Sequence, residues 1–154
     1  MRKGIVPAIL AGGLAAAVFD LIVACVLSGL PLATVGRVVA RGWFGRWTAM
    51  HGGLDVAFIG LTTHVAILLF AATLFVAAAA RSPMLARRWY VAGPLYGGAI
   101  FAFMRFVVLP LSAAGYSMPN GPTLYWEVAG HLFLVGAPIA FAARWFIGRS
   151  SARS

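Results

Sequence analysis

The sequence predicts an all-α integral membrane protein: a four-helix bundle with a short amphipathic interfacial helix between the first two spans. Composition, run length and the absence of strand periodicity predict it. Hydrophobic residues make up 62% of the 154-residue chain and charged residues only 10%, against roughly 45–50% and about 25% in soluble globular proteins. A soluble fold of this length leaves much of its surface in water and cannot hide that much apolar area. The apolar residues fall into four runs, each close to the roughly 20 residues that cross a bilayer core. None alternates with the period of two that a transmembrane barrel requires. Helices satisfy their own backbone groups in hydrocarbon, so four helices follow.

The spans are placed at about 5–27, 54–80, 89–111 and 124–147, in one transmembrane domain covering 1–154. In the first, Gly4, Ala8, Gly12 and Ala16 recur every four residues, a face along which helices approach closely in lipid. Ile22-Val23-Ala24-Cys25 loosely resembles a lipoprotein cleavage box. Asp20 interrupts the apolar region such a signal needs, and the run is long enough to span. Cys25 is the single cysteine, which excludes an internal disulfide and a cysteine-based metal cage; a packed thiol is expected.

Between the first two spans, Pro31 to Thr48 carries Arg37 and Arg41, four apart and so on one helix face. Val35, Val38, Val39, Trp43 and Phe44 fit the other face of an interfacial helix; the alternative is a loop tucked against the bundle. The second span closes at Arg81-Ser82-Pro83. The third opens at Arg87-Arg88-Trp89-Tyr90, carries Gly93 and Gly97 at GxxxG spacing, and ends at Pro110. That glycine pair serves packing within the chain or against a second copy or a membrane-complex partner. Ser117 to Thr123 reads as a polar turn. Tyr125 and Trp126 sit where an aromatic belt belongs, and Arg144, Trp145 and Arg149 close the fourth span.

The net charge is +9, from twelve Lys and Arg against three Asp and Glu. The cations flank apolar runs, so membrane lipids are the expected partners and nucleic acid is not. Arg2, Lys3, Arg81, Arg87, Arg88, Arg144, Arg149 and Arg153 would lie on one side, and Arg37, Arg41 and Arg46 on the other. The more basic side faces the cytoplasm, which puts both termini there.

Ionisable side chains inside a bilayer cost roughly 2.5–3.5 kcal/mol each on insertion scales and need a partner or a purpose. Asp20, His64, Arg105, Glu127 and His131 lie within the spans, with His51 and Asp55 at the mouth of the second. Counted at 1.5 Å per residue, Asp20, Arg105 and His131 lie about 9–10 Å in from the outer side and His64 about 15 Å. All three acidic residues of the chain fall in this outer zone. Arg105 needs a counter-ion, which Asp20 or Glu127 can supply. His51 with Asp55, and Glu127 with His131, stand at i, i+4 and would share a helix face.

Several readings follow. One is a buried polar network that fixes helix register. A second is a polar site for an ion, proton or small ligand. A third is an electron carrier binding haem b through His64 and His131, which match in depth, with Arg105 near a propionate. A fourth is a metal site of His51, Asp55, Glu127 and His131, a donor set suited to Zn, Fe or Mn. A structural subunit of a larger complex is the remaining class. No Walker loop, HExxH or GxSxG is present, so no enzyme is expected.

Several stretches carry a resemblance. They are Ala11-Gly12-Gly13 with Asp20, Val39-Ala40-Arg41-Gly42 with Phe44-Gly45, and Gly52-Gly53 with Gly60-Leu61 and His64. Pro94-Leu95-Tyr96-Gly97, Leu109-Pro110-Leu111-Ser112-Ala113, and His131 with Val135-Gly136-Ala137-Pro138-Ile139-Ala140 continue it. Together they resemble small, largely uncharacterised four-helix proteins of the bacterial inner membrane, of the YagU-like type. The resemblance spans most of the chain and implies a bacterial inner-membrane location. It keeps Asp20, His64 and His131 among the candidate residues and implies no activity.

Overall fold

The computed structural model describes residues 4–115 and 121–148. Arg2, Lys3, Arg149, Arg153 and the Ser117–Asn120 part of the polar turn lie outside the described residues. Helices run over Ile5–Ser28 (α1), Leu32–His51 (α2), Leu54–Arg81 (α3), Pro83–Arg87 (α4), Trp89–Leu111 (α5) and Pro122–Phe146 (α6). Among the described residues there is no strand. Helices α1, α3, α5 and α6 are long and apolar enough to cross a membrane, and their ends fall within two residues of the expected boundaries.

The chain breaks where local chemistry demands it. Gly29 closes α1 with φ at 66°, a conformation glycine adopts without penalty. Pro83 takes the first turn of α4, where its missing N–H costs nothing. Two stretches widen into π-helical turns, Met104–Val108 in α5 and His131–Gly136 in α6. Each ends two residues before a proline, Pro110 and Pro138. A proline ring clashes with the carbonyl four residues back and cannot donate to it, and widening the preceding turn relieves that conflict.

The segment expected as a short interfacial helix over Pro31–Thr48 is a longer helix, continuing to His51 and bent at Gly45, where φ is 76°. Its packed face also differs from the expected one. Val35, Gly36, Ala40 and Ala49 are buried, whereas Val38, Trp43 and Phe44 are exposed. Small residues win because α2 crosses α3 almost backbone to backbone. A Cβ added at Gly60 would collide with the Gly36 carbonyl, and one added at Gly36 with the Ala57 carbonyl.

The four long helices form an open arc in the order α3, α1, α6, α5. Gly13 of α1 meets Leu69 and Ala72 of α3, while Gly12 meets Ile139 and Ala142 of α6. Gly93 and Gly97 of α5 lie against Gly136, Ala137 and His131 of α6, leaving no room for a side chain. The GxxxG face is thus consumed inside the chain and is not free for a second copy. Across the arc, α3 and α5 meet at Tyr96, whose Oη donates to the Ala71 carbonyl at 2.7 Å and whose ring lies 5.1 Å from that of Phe75.

Leu68, Phe75, Val76, Val135 and Ile139, with flanking alanines, form the core. Phe75, Val76 and Ile139 lie toward the end that carries Arg81, Arg87, Arg88 and Arg144, while Leu68 and Val135 border the hollow half. The start of α1 reaches the same end, where Gly4 touches the Phe146 carbonyl. Arg37, Arg41 and Arg46 lie on α2 at the opposite end, and the half beneath α2 is hollow.

Candidate functional site

Two of the four long helices bring a carboxylate to the hollow half, and each carboxylate meets a basic group on a neighbour. Asp20 of α1 lies with its Oδ2 3.7 Å from His64 Nε2 of α3. The same nitrogen faces the Ala17 carbonyl at 3.4 Å. A carbonyl can only accept, so Nε2 carries the imidazole proton and donates to Ala17, and Nδ1 is the acceptor in the neutral ring. On the other side of the arc, Arg105 of α5 donates through Nη2 to Glu127 Oε2 of α6. The Arg105 guanidinium also lies 5.5 Å from the centre of the Phe101 ring, a cation–π arrangement. These cross-helix contacts answer the cost of placing charge among apolar spans.

His131 Nδ1 donates to the Glu127 backbone carbonyl at 2.9 Å, and its ring meets Phe101 edge-on at 5.3 Å. The expected pairing of His131 with the Glu127 carboxylate therefore does not form: Arg105 takes the carboxylate and the imidazole takes the carbonyl. That leaves Nε2 of His131 as the acceptor in its neutral form.

Asp20, His64, Arg105, Glu127 and His131 all line one cavity of about 750 Å³. Val38, Val39, Gly42 and Trp43 roof it from α2. Three hydrogen bonds fix that roof across the arc. Trp43 Nε1 donates to Thr63 Oγ1 of α3 at 3.0 Å, Ala113 N donates to the Gly42 carbonyl at 3.1 Å, and Arg41 Nη2 donates to the Ala114 carbonyl at 3.2 Å. A second cavity, about 960 Å³ and almost wholly apolar, opens between α3 and α5. It shares Trp43, Thr63, Ile67, Ile100, Phe103, Met104 and Val108 with the first.

His51 and Asp55 stand outside this arrangement, and the pair expected on one helix face is broken. Gly52 and Gly53 are extended, so the two residues belong to different helices. The His51 ring stacks on Trp47 at 4.6 Å and its Nδ1 donates to the Trp47 carbonyl at 2.9 Å. Neither lines the cavity that holds Glu127 and His131. The proposed metal set is thus not assembled, and among the described residues no three His, Cys, Asp or Glu converge as metal ligands.

The haem arrangement is half met. His131 holds Nδ1 on a carbonyl and leaves Nε2 toward other partners, as ligating imidazoles do. His64 turns Nε2 to α1 instead, so iron would have to take Nδ1 or displace the contact with Asp20.

Sequence reasoning missed Trp43 and Thr63 as the link between roof and wall, and missed the apolar cavity altogether. The π-helical turns had a signal in Pro110 and Pro138. Comparison with protein-family models, curated proteins and solved structures finds no match to this chain.

Proposed function

We propose that the chain is a bacterial inner-membrane protein, with both termini cytoplasmic, whose outer-half cavity is a binding site for a small ligand and whose role is not enzymatic. The observation that carries the reading is the coexistence of paired ionisable groups and open space. A network serving only to fix helix register would close on itself. Here Asp20–His64 and Arg105–Glu127 are paired, yet about 750 Å³ stays open between them. One water occupies about 30 Å³, and ligand pockets run from roughly 300 to 1,000 Å³. That volume favours a molecule over a bare ion or proton. The gathering of Arg81, Arg87, Arg88 and Arg144 at the end away from α2 supports the orientation.

The test uses Gly42 in the roof. A Cβ there would have only Ser112 within reach, at 3.9 Å, so Gly42→Leu fills cavity space while sparing both ion pairs. Wild-type and Gly42→Leu proteins are purified side by side and their released small molecules compared by mass spectrometry. A compound near stoichiometric amount in the wild type and depleted in the variant is expected. Identical profiles from the two proteins would remove the reading.

A further inference from the structure

We propose that the ligand is an organic cation, a protonated amine whose nitrogen sits against Asp20 and whose apolar substituents lie in the groove between α3 and α5. The proposal rests on the reading of the polar cavity as a ligand site and names the class of molecule that site takes.

The two pairs in the cavity are not alike. Arg105 and Glu127 set charge against charge and share a hydrogen bond. Asp20 and His64 stand 3.7 Å apart, too far for a hydrogen bond, and the Nε2 proton goes to the Ala17 carbonyl. A neutral imidazole offers the carboxylate no opposite charge. Arg41 of α2 does not line the cavity and gives its Nη2 to the Ala114 carbonyl. The lining therefore carries two carboxylates against one guanidinium, and the surplus negative charge belongs to Asp20. A charge among apolar helices needs a partner, and here a bound cation supplies it. An anion would enter against that surplus, with the one lining guanidinium already matched.

The hydrogen-bonding groups point the same way. The side-chain donors of the lining already give to protein acceptors: Trp43 to Thr63, Thr63 to Ile59 and Ser112 to Leu109. What is left over accepts. Among the described residues nothing donates to the Asp20 carboxylate, to Nδ1 of His64 or to Nε2 of His131. A molecule filling this space must bring its own donors, and a protonated amine brings donors and the missing charge together. The cavity also holds one cation against an aromatic ring already, the Arg105 guanidinium 5.5 Å from the centre of Phe101. Trp43 and Phe103 offer further rings on the same lining.

The groove decides what the nitrogen carries. Tyr96 ties α3 to α5 through the Ala71 carbonyl and Phe75. Beyond that contact the helices diverge and leave about 960 Å³ with almost no polar surface. The groove meets the polar cavity midway along, at Thr63, Ile67 and Met104. Thr63 is the chain neighbour of His64, which stands beside Asp20. A nitrogen at this junction has apolar wall on both sides, toward Phe58 and toward Leu74. A central charge with apolar arms fits that shape.

The full chain in phosphatidylcholine nanodiscs is titrated with tritiated dihexylamine at about pH 8, where an ordinary imidazole is neutral and the amine is protonated. Empty nanodiscs give the background partition. Saturable binding above that background is expected. Asp20→Asn keeps the shape of the side chain and removes its charge, and is expected to weaken binding by about ten-fold or more, the loss of one desolvated charge contact. In the wild type, unlabelled dihexylamine is expected to compete. N-hexylhexanamide, with matching arms and an N–H but no charge, is not, and neither is methylamine, with the charge but no arms. Equal competition by the amide would place the affinity in the apolar arms alone and overturn the proposal. Equal competition by methylamine, or undiminished binding to Asp20→Asn, would overturn it too. Should that variant not fold, the competition series in the wild type decides without it. If dihexylamine only partitions as in empty nanodiscs but a compound is still lost in Gly42→Leu, the cation assignment falls and the cavity remains a ligand site. If both results are negative, both fall.

Discussion

Arg105 and Glu127 meet across α5 and α6, and their hydrogen bond is the only charge-to-charge contact among the described residues that does not depend on a histidine proton. Their side chains are 12% and 33% exposed, respectively, so removing either partner costs the other its charge-to-charge contact.

Arg105→Gln and Glu127→Gln are each expected to destabilise by roughly 1–3 kcal/mol, less than the about 3–5 kcal/mol of breaking a fully buried pair, because Glu127 is partly exposed. The double variant Arg105→Leu/Glu127→Leu is expected to lose less than the sum of the single variants. Reversible unfolding in detergent measures the cycle. Strict additivity would mean that the pair carries no coupling.

Gly97 and Gly98 are neighbours with opposite surroundings. A Cβ at Gly97 would strike the His131 carbonyl, whereas one at Gly98 has only the end of Leu132 at 3.6 Å. Gly97→Ala is expected to cost about 1–3 kcal/mol through overpacking. Gly98→Ala is expected to be neutral or to gain up to about 1 kcal/mol from helix propensity. Thermal unfolding of the two proteins in one detergent decides it, and equal midpoints would contradict the packing of α5 on α6.

Gly60→Ala pushes on the Gly36 carbonyl and is expected to lift α2 from α3. The measurable result is faster hydrogen exchange in α2 and at Ala113, whose amide donates to the Gly42 carbonyl. Unchanged protection at those amides would mean that the roof does not depend on the crossing.

Pro138→Ala restores an amide that can donate to the Leu134 carbonyl. The widened turn at His131–Gly136 is then expected to tighten toward a regular helix, with gained protection at residue 138. Because that turn begins at His131, the variant is also expected to alter the imidazole NMR shifts of His131 more than those of His51. Identical His131 shifts would separate the turn from the site.

His51→Ala and Asp55→Asn are expected to leave stability within about 0.5 kcal/mol, since both residues are exposed and outside the cavity. Chelator treatment is expected to leave the unfolding midpoint unchanged, and the purified protein is expected to lack Soret absorbance. A stoichiometric metal, or a Soret band lost in His131→Ala, would restore a cofactor reading.

The four long helices were legible because lipid imposes one rule on length and composition, and Ile5, Leu54, Trp89 and the Pro122 region obey it. The gathering of Asp20, His64, Arg105, Glu127 and His131 was legible from depth alone, since buried ionisable groups must find one another. Depth left the partners open. Glu127 rather than Asp20 serves Arg105 because α6 lies between α1 and α5 in the arc, and neighbour order is not written in hydropathy. The face of α2 was misread for a related reason. Hydrophobicity marks Val38, Trp43 and Phe44, but close crossing selects Gly36 and Ala40, and only the partner helix reveals which criterion governs. The open groove had no signal because it arises from a contact that is missing.

The arc also dictates an order of events during synthesis. Arg105 leaves the ribosome 22 residues ahead of Glu127, and its own helix has scant purchase on anything made before it. Until the last span follows, the guanidinium lacks the Glu127 carboxylate. The third span is therefore seated by the fourth, and a nascent chain cut between them should expose its arginine to the insertion machinery as an unfinished product.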